Sequence, residues 1–421
     1  MSGELEKAEA DVNAFIQLAP DGDGYHYRGN IRHWRGDYEN AIADQTKAIE
    51  LAPNEGIFYF YRAAARLSIN DLEGARADWE ESLRLGTGHA MSEAAIFHNL
   101  AGIKQRQGDF EGALAIYDKA ISLLPTLVGN DANVAQMYIN RGDLRQKRDD
   151  KLGAIADYDE AIRIAPKNVW AYVLRGTLYI ALDNLEKALS DLSHAIGLDP
   201  GSFQAFNNRG WARQCNKDYD GALEDYNQAI FLNSELVIAY NNRAKLQMRK
   251  RDYAAAIEDC AAILRLESDN SFALHLHGYC NFQLGKMDES LADYERVVEL
   301  APDWYEGYIG RGYARAFKGD LESALADVEK ARELKPDDAG VYGTRAYIRL
   351  QQQDFDAVIA DCDEAIRLSR SYAEPYKYRA QAWTHKGEQA KADADLRQYQ
   401  ELIKPTWSSK TTKSWWQRLL G

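Results

Sequence analysis

The sequence repeats itself with a period of about 34 residues, and this recurrence restricts the possible folds more than any other feature. A phrase of the form Ala-Ile-x-Leu/Ile-x-Pro occurs at residues 48–53, 161–166 and 195–200. The last position of this phrase recurs at a constant spacing from Pro166 to Lys404. Earlier in the chain two of the spacings are longer, which indicates short insertions near residues 86–91 and 126–134. Such a chain stacks small units that bury apolar surface against their neighbours.

Small and aromatic residues occupy fixed places within each unit. A glycine or alanine stands at the same place in every unit, at Gly29, Ala63, Ala101, Gly142, Gly176, Gly210, Ala244, Gly278, Gly312, Ala346 and Ala380. An aromatic residue stands four positions before it in ten of the eleven units. Two helices of about 12–14 residues with two short turns fill a unit of this length, and small side chains let two helix backbones approach closely. The sequence therefore predicts eleven helical hairpins.

This pattern resembles the tetratricopeptide repeat. In one unit the family's aromatic, small and proline positions are filled by Tyr138, Gly142, Ala154, Tyr158, Ala161 and Pro166. The resemblance implies an all-α fold, a right-handed superhelical solenoid of about eleven 34-residue helix-turn-helix repeats, with the first helices lining a concave groove. The predicted domains are an N-terminal half-repeat that caps the array (residues 1–20), the array itself (21–404) and a C-terminal tail (405–421).

An arginine and an aspartate recur at one fixed spacing in nine units, beginning with Arg28 and Asp44. In one unit both are lost together, and Leu100 and Ile116 take their places. Because a buried charge without its partner is costly, the joint loss predicts an ion pair between the two helices of one repeat. His277 and Asp293 would form a weaker version of it. The alternative is that these arginines bind acidic ligands.

Two further positions on the first helices are candidates for peptide binding. Two residues before the small position stand the asparagines Asn99, Asn140, Asn208 and Asn242. Their amides can donate to and accept from the backbone of an extended peptide, although asparagine is also simply tolerated on a helix surface. One residue after the small position stand Trp211, Lys245, Tyr279, Tyr313 and Tyr347. These aromatics would either form an apolar groove for a partner or pack between repeats.

Some family members hold a partner's terminal carboxylate with a clamp of lysine, asparagine and arginine. His26 and Asn30 occupy two positions like those of the clamp, but Tyr61 stands where the next asparagine is expected. The sequence therefore predicts no complete clamp.

Composition argues against other classes of function. The formal net charge is −14, and an acidic surface repels the phosphates on which nucleic-acid affinity depends, so nucleic acid is not expected as a partner. No metal-binding, phosphate-binding or nucleophile motif is present, and neither a cofactor nor enzymatic activity is predicted. The four scattered cysteines fit a reducing compartment, and the start of the chain does not resemble a signal peptide, so we expect a cytoplasmic protein.

The end of the chain, residues 405–421 (PTWSSKTTKSWWQRLLG), is basic and rich in tryptophan. Trp415, Trp416, Leu419 and Leu420 form two i,i+4 pairs on one helical face. This tail would cap the last repeat, contact a membrane interface, or dock into a groove as an autoinhibitor. Together the sequence predicts a non-catalytic scaffold that binds peptide segments of partner proteins in its concave groove. The alternative is a membrane-peripheral assembly factor that uses the tail.

Overall fold

The computed structural model describes residues 2–86, 90–122 and 131–403, and it contains helices and turns but no strand in those ranges. The helix α1 (Ser2–Leu18) is followed by eleven helical hairpins, which we number as repeats 1 to 11. Repeats 1 to 5 are α2 (Gly22–Trp34) with α3 (Tyr38–Leu51), α4 (Gly56–Ser68) with α5 (Leu72–Leu85), α6 (Ala90–Arg106) with α7 (Phe110–Ser122), α8 (Asp131–Lys147) with α9 (Lys151–Ile164), and α10 (Val169–Ala181) with α11 (Leu185–Leu198). Repeats 6 to 11 are α12 (Phe203–Cys215) with α13 (Tyr219–Leu232), α14 (Val237–Arg249) with α15 (Tyr253–Leu266), α16 (Ser271–Gln283) with α17 (Met287–Leu300), α18 (Tyr305–Phe317) with α19 (Leu321–Leu334), α20 (Ala339–Gln351) with α21 (Phe355–Leu368), and α22 (Glu374–His385) with α23 (Gln389–Ile403). The predicted fold, an all-α solenoid of about eleven hairpins, is confirmed.

The chain forms two compact units, Met1–Pro200 and Gly201–Gly421. Unit 1 contains α1 and repeats 1 to 5, and unit 2 contains repeats 6 to 11. Inside each unit the second helix of one hairpin packs on the first helix of the next, as α3 does on α4 and α15 on α16. A hairpin with a neighbour on both sides in its unit therefore buries apolar surface against both of them.

Repeat 3 and repeat 4 begin with longer helices than the others. α6 and α8 have 17 residues each, about one turn more than the 13 residues of α10. The insertions predicted near 86–91 and 126–134 overlap the starts of these two helices, and residues 87–89 and 123–130 lie outside the described residues. The predicted tail, residues 405–421, lies outside them as well.

The turn inside each hairpin contains a left-handed residue, and in most hairpins a side-chain cap of the second helix follows it. Gly319 has a φ of +88° between α18 and α19, and Asp320 then accepts a hydrogen bond from the backbone N–H of Ser323 at 3.2 Å. A left-handed residue ends the first helix, and an aspartate at the N-cap satisfies an amide of the second. Lys217 and Arg251 adopt the same conformation without being glycine, with φ of +66° and +63°.

The small position brings the two helices of a hairpin together. A Cβ atom on Gly142 would lie 2.7 Å from the ring of Tyr158, and one on Gly210 would lie 2.8 Å from the ring of Tyr226. Real Cβ atoms do not approach other atoms so closely, so a larger residue at either site would push the rings aside. Close packing here favours the smallest side chains, and the position is glycine or alanine in all eleven repeats.

The predicted arginine–aspartate ion pair is present in all nine repeats whose sequence carries it. In repeat 10 the Nε and Nη2 atoms of Arg345 donate to the carboxylate of Asp361, and both side chains are almost fully buried, at 8% and 3% exposure. The distance from Nη2 to the carboxylate is 2.5–2.7 Å in the pairs Arg28–Asp44, Arg62–Asp78, Arg141–Asp157, Arg175–Asp191, Arg209–Asp225, Arg243–Asp259, Arg311–Asp327, Arg345–Asp361 and Arg379–Asp395. The prediction of a structural pair within one repeat is confirmed.

The same arginine also reaches the preceding hairpin. Nη1 of Arg345 donates to Glu329 of repeat 9 at 2.7 Å, and its guanidinium carbon lies 5.3 Å from the ring centre of Tyr342 on its own helix. Equivalent contacts join Arg175 to Asp159 and Arg379 to Asp363. One guanidinium therefore holds together both helices of its own repeat and the second helix of the repeat before it.

A second arginine, which the sequence analysis missed, shares the aspartate in six repeats. It stands four residues after the first, and in repeat 10 Nη1 of Arg349 donates to Asp361 at 2.8 Å. The equivalent residues are Arg32, Arg66, Arg145, Arg213 and Arg315. The i,i+4 spacing of the two arginines, which places them on one helix face, was the signal available in the sequence.

Repeats 3 and 8 lack the arginine, and other side chains fill the space that the arginine–aspartate pair takes elsewhere. In repeat 3, Leu100 lies in a buried apolar cluster against which Ile116 packs. In repeat 8, Nδ1 of His277 lies 2.8 Å from the carboxylate of Asp293, and the amide of Asn281 donates to the same carboxylate at 3.1 Å. Both predicted substitutes for the arginine–aspartate pair are confirmed.

We expect that Arg243→Leu will destabilise the protein and that adding Asp259→Ile will restore most of the loss. The single change leaves Asp259 buried without its arginine, which costs about 3 kcal/mol, whereas the double change recreates the apolar pair of repeat 3. The measurement is the midpoint of urea unfolding followed by circular dichroism. Arg367→Leu, which removes an exposed pair with Glu364, is the matched control and should change little. A double variant less stable than Arg243→Leu would contradict the structural role of the pair.

Candidate functional site

The first helices form the inner layer of each unit. They contact one another directly from repeat to repeat, α2 with α4 and α6 with α8 in unit 1, and α16 with α18 and α18 with α20 in unit 2. In the described ranges the main packing partners of each second helix are first helices. Side chains on the free face of the first helices therefore line the concave side, where the sequence placed its candidate residues.

In unit 1 the candidate asparagines lie on α6 and α8. Asn99 and Asn140 are both half-buried. The amide nitrogen of Asn140 lies 2.7 Å from Nδ1 of His98, and its carbonyl accepts from Gln136 at 2.9 Å. Burial raises the pKa of the neighbouring Tyr117 to about 12, and a hydrogen bond with Asn140 partly offsets that rise. Asn140 thus links two successive repeats through polar contacts.

In unit 2 the asparagines form a short chain of amides between repeats 6 and 7. The amide of Asn242 donates to the carbonyl of Asn207 at 3.1 Å, and the amide of Asn207 donates to Asn208 at 3.0 Å. Asn207 was not among the predicted residues, although the doublets Asn207–Asn208 and Asn241–Asn242 mark it in the sequence. The structure therefore brings Asn208 and Asn242 into one network through a residue that sequence reasoning missed.

Two polar groups on the same face of α14 have no hydrogen-bond or ion-pair partner among the described residues. The carbonyl oxygen of Asn241 is buried and accepts no hydrogen bond there. One turn further on, the half-buried ammonium of Lys245 makes no ion pair within the described ranges and lies 4.9 Å from the ring centre of Phe272. Burial lowers the pKa of Lys245. Buried polar groups are usually hydrogen-bonded, so this pair is the feature of the groove that most needs an explanation.

The aromatic candidates are used, at least in part, for packing between repeats. The rings of Tyr313 and Tyr347 stack with centres 4.6 Å apart, and the hydroxyls of Tyr313 and Tyr378 are 3.0 Å apart. Burial raises the pKa of Tyr313 to about 12. Tyr279 packs edge-on to Tyr253, with ring centres 6.1 Å apart. These contacts fit the packing alternative, and ligand contact at these positions stays a prediction.

Trp211 is half-buried on α12. It stands one repeat before Lys245, at the same position of its helix. Contact between Trp211 and a ligand also stays a prediction.

The two clamp-like residues of repeat 1, His26 and Asn30, form hydrogen bonds with each other and with Gln45. Nδ1 of His26 lies 3.0 Å from the Gln45 carbonyl, and the amide of Asn30 lies 3.1 Å from Nε2 of His26. Burial lowers the pKa of His26. The ring of Tyr61 packs edge-on against His26 at 4.9 Å. The site is a closed polar network inside repeat 1.

Two carboxylates near the groove of unit 2 were also missed. Glu306 and Glu374 begin the first turns of α18 and α22, at equivalent repeat positions. Burial raises the pKa of each, and one oxygen of each is buried without a hydrogen-bond partner among the described residues. Their spacing of two repeat lengths was the available signal. They give repeats 9 to 11 an acidic and aromatic character that differs from repeats 6 and 7.

His275 lies beneath the groove in repeat 8. Its ring packs 4.9 Å from Trp304 and 5.5 Å from Tyr294. Complete burial lowers its pKa to about 4, because an imidazolium cation is poorly solvated among aromatic rings.

No group of three or more histidine, cysteine, aspartate or glutamate side chains in the described ranges could hold a metal ion. None of the helices in those ranges is long and apolar enough to cross a membrane.

Comparison with known families agrees with the repeat geometry. Models described as "Tetratricopeptide repeat" match residues 25–55, 92–167, 171–202, 207–271 and 241–304. The chain belongs to the tetratricopeptide repeat family.

Curated relatives from this family match only a part of the chain. The Hsp70-Hsp90 organizing protein of Triticum aestivum is 32% identical over 108 residues, which are 26% of this chain and 18% of that protein. The small glutamine-rich tetratricopeptide repeat-containing protein 2 of Saccharomyces cerevisiae is 31% identical over 96 residues, 23% of this chain and 27% of that protein. The matched region therefore spans about a quarter or less of each relative.

Solved structures of similar proteins cover more of the chain. Yeast Tom70 is 18% identical, covers 96% of this chain and 94% of its own, and gives a TM-score of 0.40. A tetratricopeptide repeat protein from Parabacteroides merdae is 21% identical, covers 60% of this chain and 99% of its own, and gives a TM-score of 0.47.

We expect this tetratricopeptide repeat protein to lose stability as the pH falls from 7.5 to 5.5, in part through His275. The unfolded chain binds a proton at His275 below pH 6.5, whereas the folded chain does so only near pH 4. The stability contributed by the neutral ring is complete above about pH 6.5 and is lost as the pH falls, by about 1 kcal/mol at pH 5.5. The measurement is the free energy of unfolding against pH for wild type and His275→Phe.

The His275→Phe variant should show the smaller loss over this interval. The control is His385→Phe, which removes an exposed histidine of the same unit and should follow wild type. Equal pH dependence in wild type and His275→Phe would show that His275 does not titrate as its surroundings indicate.

Proposed function

We propose that this protein is a non-catalytic scaffold that binds extended peptide segments of partner proteins along the first helices of repeats 6 and 7. The observation that carries the proposal is a pair of groups on α14, the Asn241 carbonyl and the Lys245 ammonium, which have no hydrogen-bond or ion-pair partner among the described residues. Side by side they offer one acceptor and one charged donor, which a peptide backbone would satisfy with an N–H and a carbonyl group.

The amide chain beside this pair supports an extended backbone as the ligand. Asn207, Asn208 and Asn242 follow the direction in which repeats 6 and 7 are stacked. An asparagine amide can donate and accept at once, so it can hold a peptide bond whatever side chains the peptide carries. Such a grip suits a protein with several partners, whose specificity then comes from neighbouring side chains such as Trp211 and Lys245.

Protein partners are also the inference from the relatives. The relative in Triticum aestivum is named for organizing two other proteins, Hsp70 and Hsp90, and we infer protein partners for this chain. The Asn99 and Asn140 positions of unit 1 are proposed as a second stretch of the same kind. The proposed binding involves no catalytic step. The cytoplasmic location inferred from the cysteines stays a prediction.

We expect Asn208→Ala/Asn242→Ala to weaken peptide binding by about 5- to 150-fold. Each net hydrogen bond contributes about 0.5–1.5 kcal/mol, and two are removed. The probes are dodecapeptides selected on the wild-type protein from a phage-displayed random library, and the dissociation constant is measured by fluorescence anisotropy. A second form of each peptide, N-methylated along its backbone, should bind wild type as weakly as the unmodified peptide binds the variant.

The matched control for this test is Asn40→Ala/Gln228→Ala, which removes two amides from the second helices α3 and α13. It should bind like wild type. If the groove variant binds the peptides with unchanged affinity while keeping its unfolding midpoint, the proposed site is wrong.

We expect Lys245→Met to weaken binding while leaving stability unchanged or higher. The methionine removes a half-buried charge that has no acidic partner in the described ranges, so the folded state loses a desolvation cost. The ligand loses a charge-assisted hydrogen bond, and binding should fall by about tenfold. Thermal unfolding and anisotropy on the same preparation give both values.

The control is Lys250→Met, which lies at the end of the same helix and pairs with Asp220. It should bind like wild type. A fall in both stability and affinity for Lys245→Met would indicate a structural lysine instead of a binding one.

A further inference from the structure

Glu374 places a carboxylate beside the groove of repeats 9 to 11. The residue is half-buried in the first turn of α22, and its Oε2 atom is buried and accepts no hydrogen bond from the described residues. Burial raises the pKa of Glu374, and its own backbone amide and the charge of Lys377 offset a part of that rise. Lys377 itself is exposed and forms no ion pair with Glu374 in the described ranges. The carboxylate therefore keeps the capacity to accept from a ligand.

The start of α22 supplies fewer local partners than the start of α16. Asn270 caps α16 with its side chain, whereas Tyr372 stands at the same repeat position before α22. The ring of Tyr372 packs against α20 instead, where a Cβ atom on Gly343 would lie 2.5 Å from it. The second residue of α22 is Pro375, which has no backbone N–H to donate. An aromatic wall thus replaces the helix cap, and Glu374 has few donors nearby.

Tyrosine rings line the groove next to this carboxylate. Burial raises the pKa of three hydroxyls, those of Tyr313, Tyr372 and Tyr378, and the negative charge of Glu374 adds to the rise in each. The half-buried ring of Tyr347 stacks on Tyr313 and lies 5.8 Å from the ring of Tyr378, measured between ring centres. Aromatic faces attract cations, so the rings and the carboxylate favour the same kind of ligand, a positively charged one.

A guanidinium group suits both features. It donates two parallel hydrogen bonds to a carboxylate, and its planar face packs on an aromatic ring. A lysine ammonium is more strongly hydrated and has no planar face. The chain's own arginines use this combination, since Arg379 donates to Asp395 from Nε and Nη2 while its guanidinium carbon lies 5.6 Å from the ring centre of Tyr376. The groove of repeats 9 to 11 offers the same two partners to an arginine from outside.

We propose that the groove of repeats 9 to 11 binds an arginine side chain of a partner protein, with the Glu374 carboxylate as its acceptor and the neighbouring tyrosines as its packing surface. This inference rests on the proposed function and deepens it by naming a side chain that the bound peptide carries. The amides of repeats 6 and 7 hold the backbone of any peptide, whereas Glu374 selects one of its residues.

The test selects dodecapeptides from a phage-displayed random library on the Asn208→Ala/Asn242→Ala protein. That background weakens the amide site, so a failure of the arginine site is distinguishable from a failure of the amide site. The same selection is made with Glu374→Gln added, which keeps the shape of the side chain and removes its charge. The matched control adds Glu388→Gln instead, which removes an exposed carboxylate of the same repeat.

We expect arginine to be enriched over its frequency in the unselected library on the background protein and on the Glu388→Gln control, but not with Glu374→Gln. In a synthetic selected peptide, citrulline in place of arginine removes the charge and should raise the dissociation constant at least about tenfold, measured by fluorescence anisotropy. Lysine in place of arginine should also weaken binding. All three peptides should bind the Glu374→Gln protein alike. The unfolding midpoint of that protein should not fall, because a buried charge has been removed.

Equal affinity of the background protein for the arginine and citrulline peptides, or for the arginine and lysine peptides, would overturn the proposal. An equal loss of affinity with Glu388→Gln would indicate general attraction by the acidic surface and would overturn it too. If wild type yields peptides and the background yields none, binding lies at the amides of repeats 6 and 7 alone, and the arginine site is wrong. If wild type yields none either, the proposed function fails together with this inference.

Discussion

The arginine that nine of the eleven repeats carry at one fixed position makes the contact on which the rest of the array depends. Its guanidinium meets the aspartate of its own hairpin and a polar group on the hairpin before it, as Arg345 does with Asp361 and Glu329. One side chain therefore sets both the internal geometry of a repeat and its register with its neighbour. An apolar pair could fill the same space, but it would not fix the register by directed bonds. Repeat 3, which has the apolar pair, is also the one hairpin that both insertions flank.

Because that contact recurs nine times, it could be read from the sequence alone. The loss of both charges at Leu100 and Ile116 was informative because a buried pair must be kept or lost together. The same argument could not find the second arginine, such as Arg349, because its aspartate was already assigned to another arginine and the residue type at its position varies among repeats. It also could not find Asn207, since adjacent helical residues point about 100° apart and only one of the two was expected in the groove.

The aromatic candidates show a different limit of sequence reasoning. Repeat register places Tyr313 and Tyr347 on the inner side of their helices, but it does not decide whether a ring points into the groove or along the array. Stacking between neighbouring repeats used both rings, since an aromatic pair gains about 0.5–1.5 kcal/mol beyond the area that it buries. Lys245 stands at the same repeat position, and no acidic residue in the described ranges neutralises its charge. The same repeat position is therefore used for packing by Tyr313 and Tyr347 in repeats 9 and 10, whereas Lys245 in repeat 7 remains available for contact with a ligand.

The groove of unit 2 consequently changes its chemistry along its length. Repeats 6 and 7 present amides and an ammonium group, whereas repeats 9 to 11 present tyrosines with the buried carboxylates Glu306 and Glu374. In an array whose stability is a sum of neighbour terms, an unsatisfied group such as the Asn241 carbonyl is tolerated locally as long as the adjoining interfaces compensate for it.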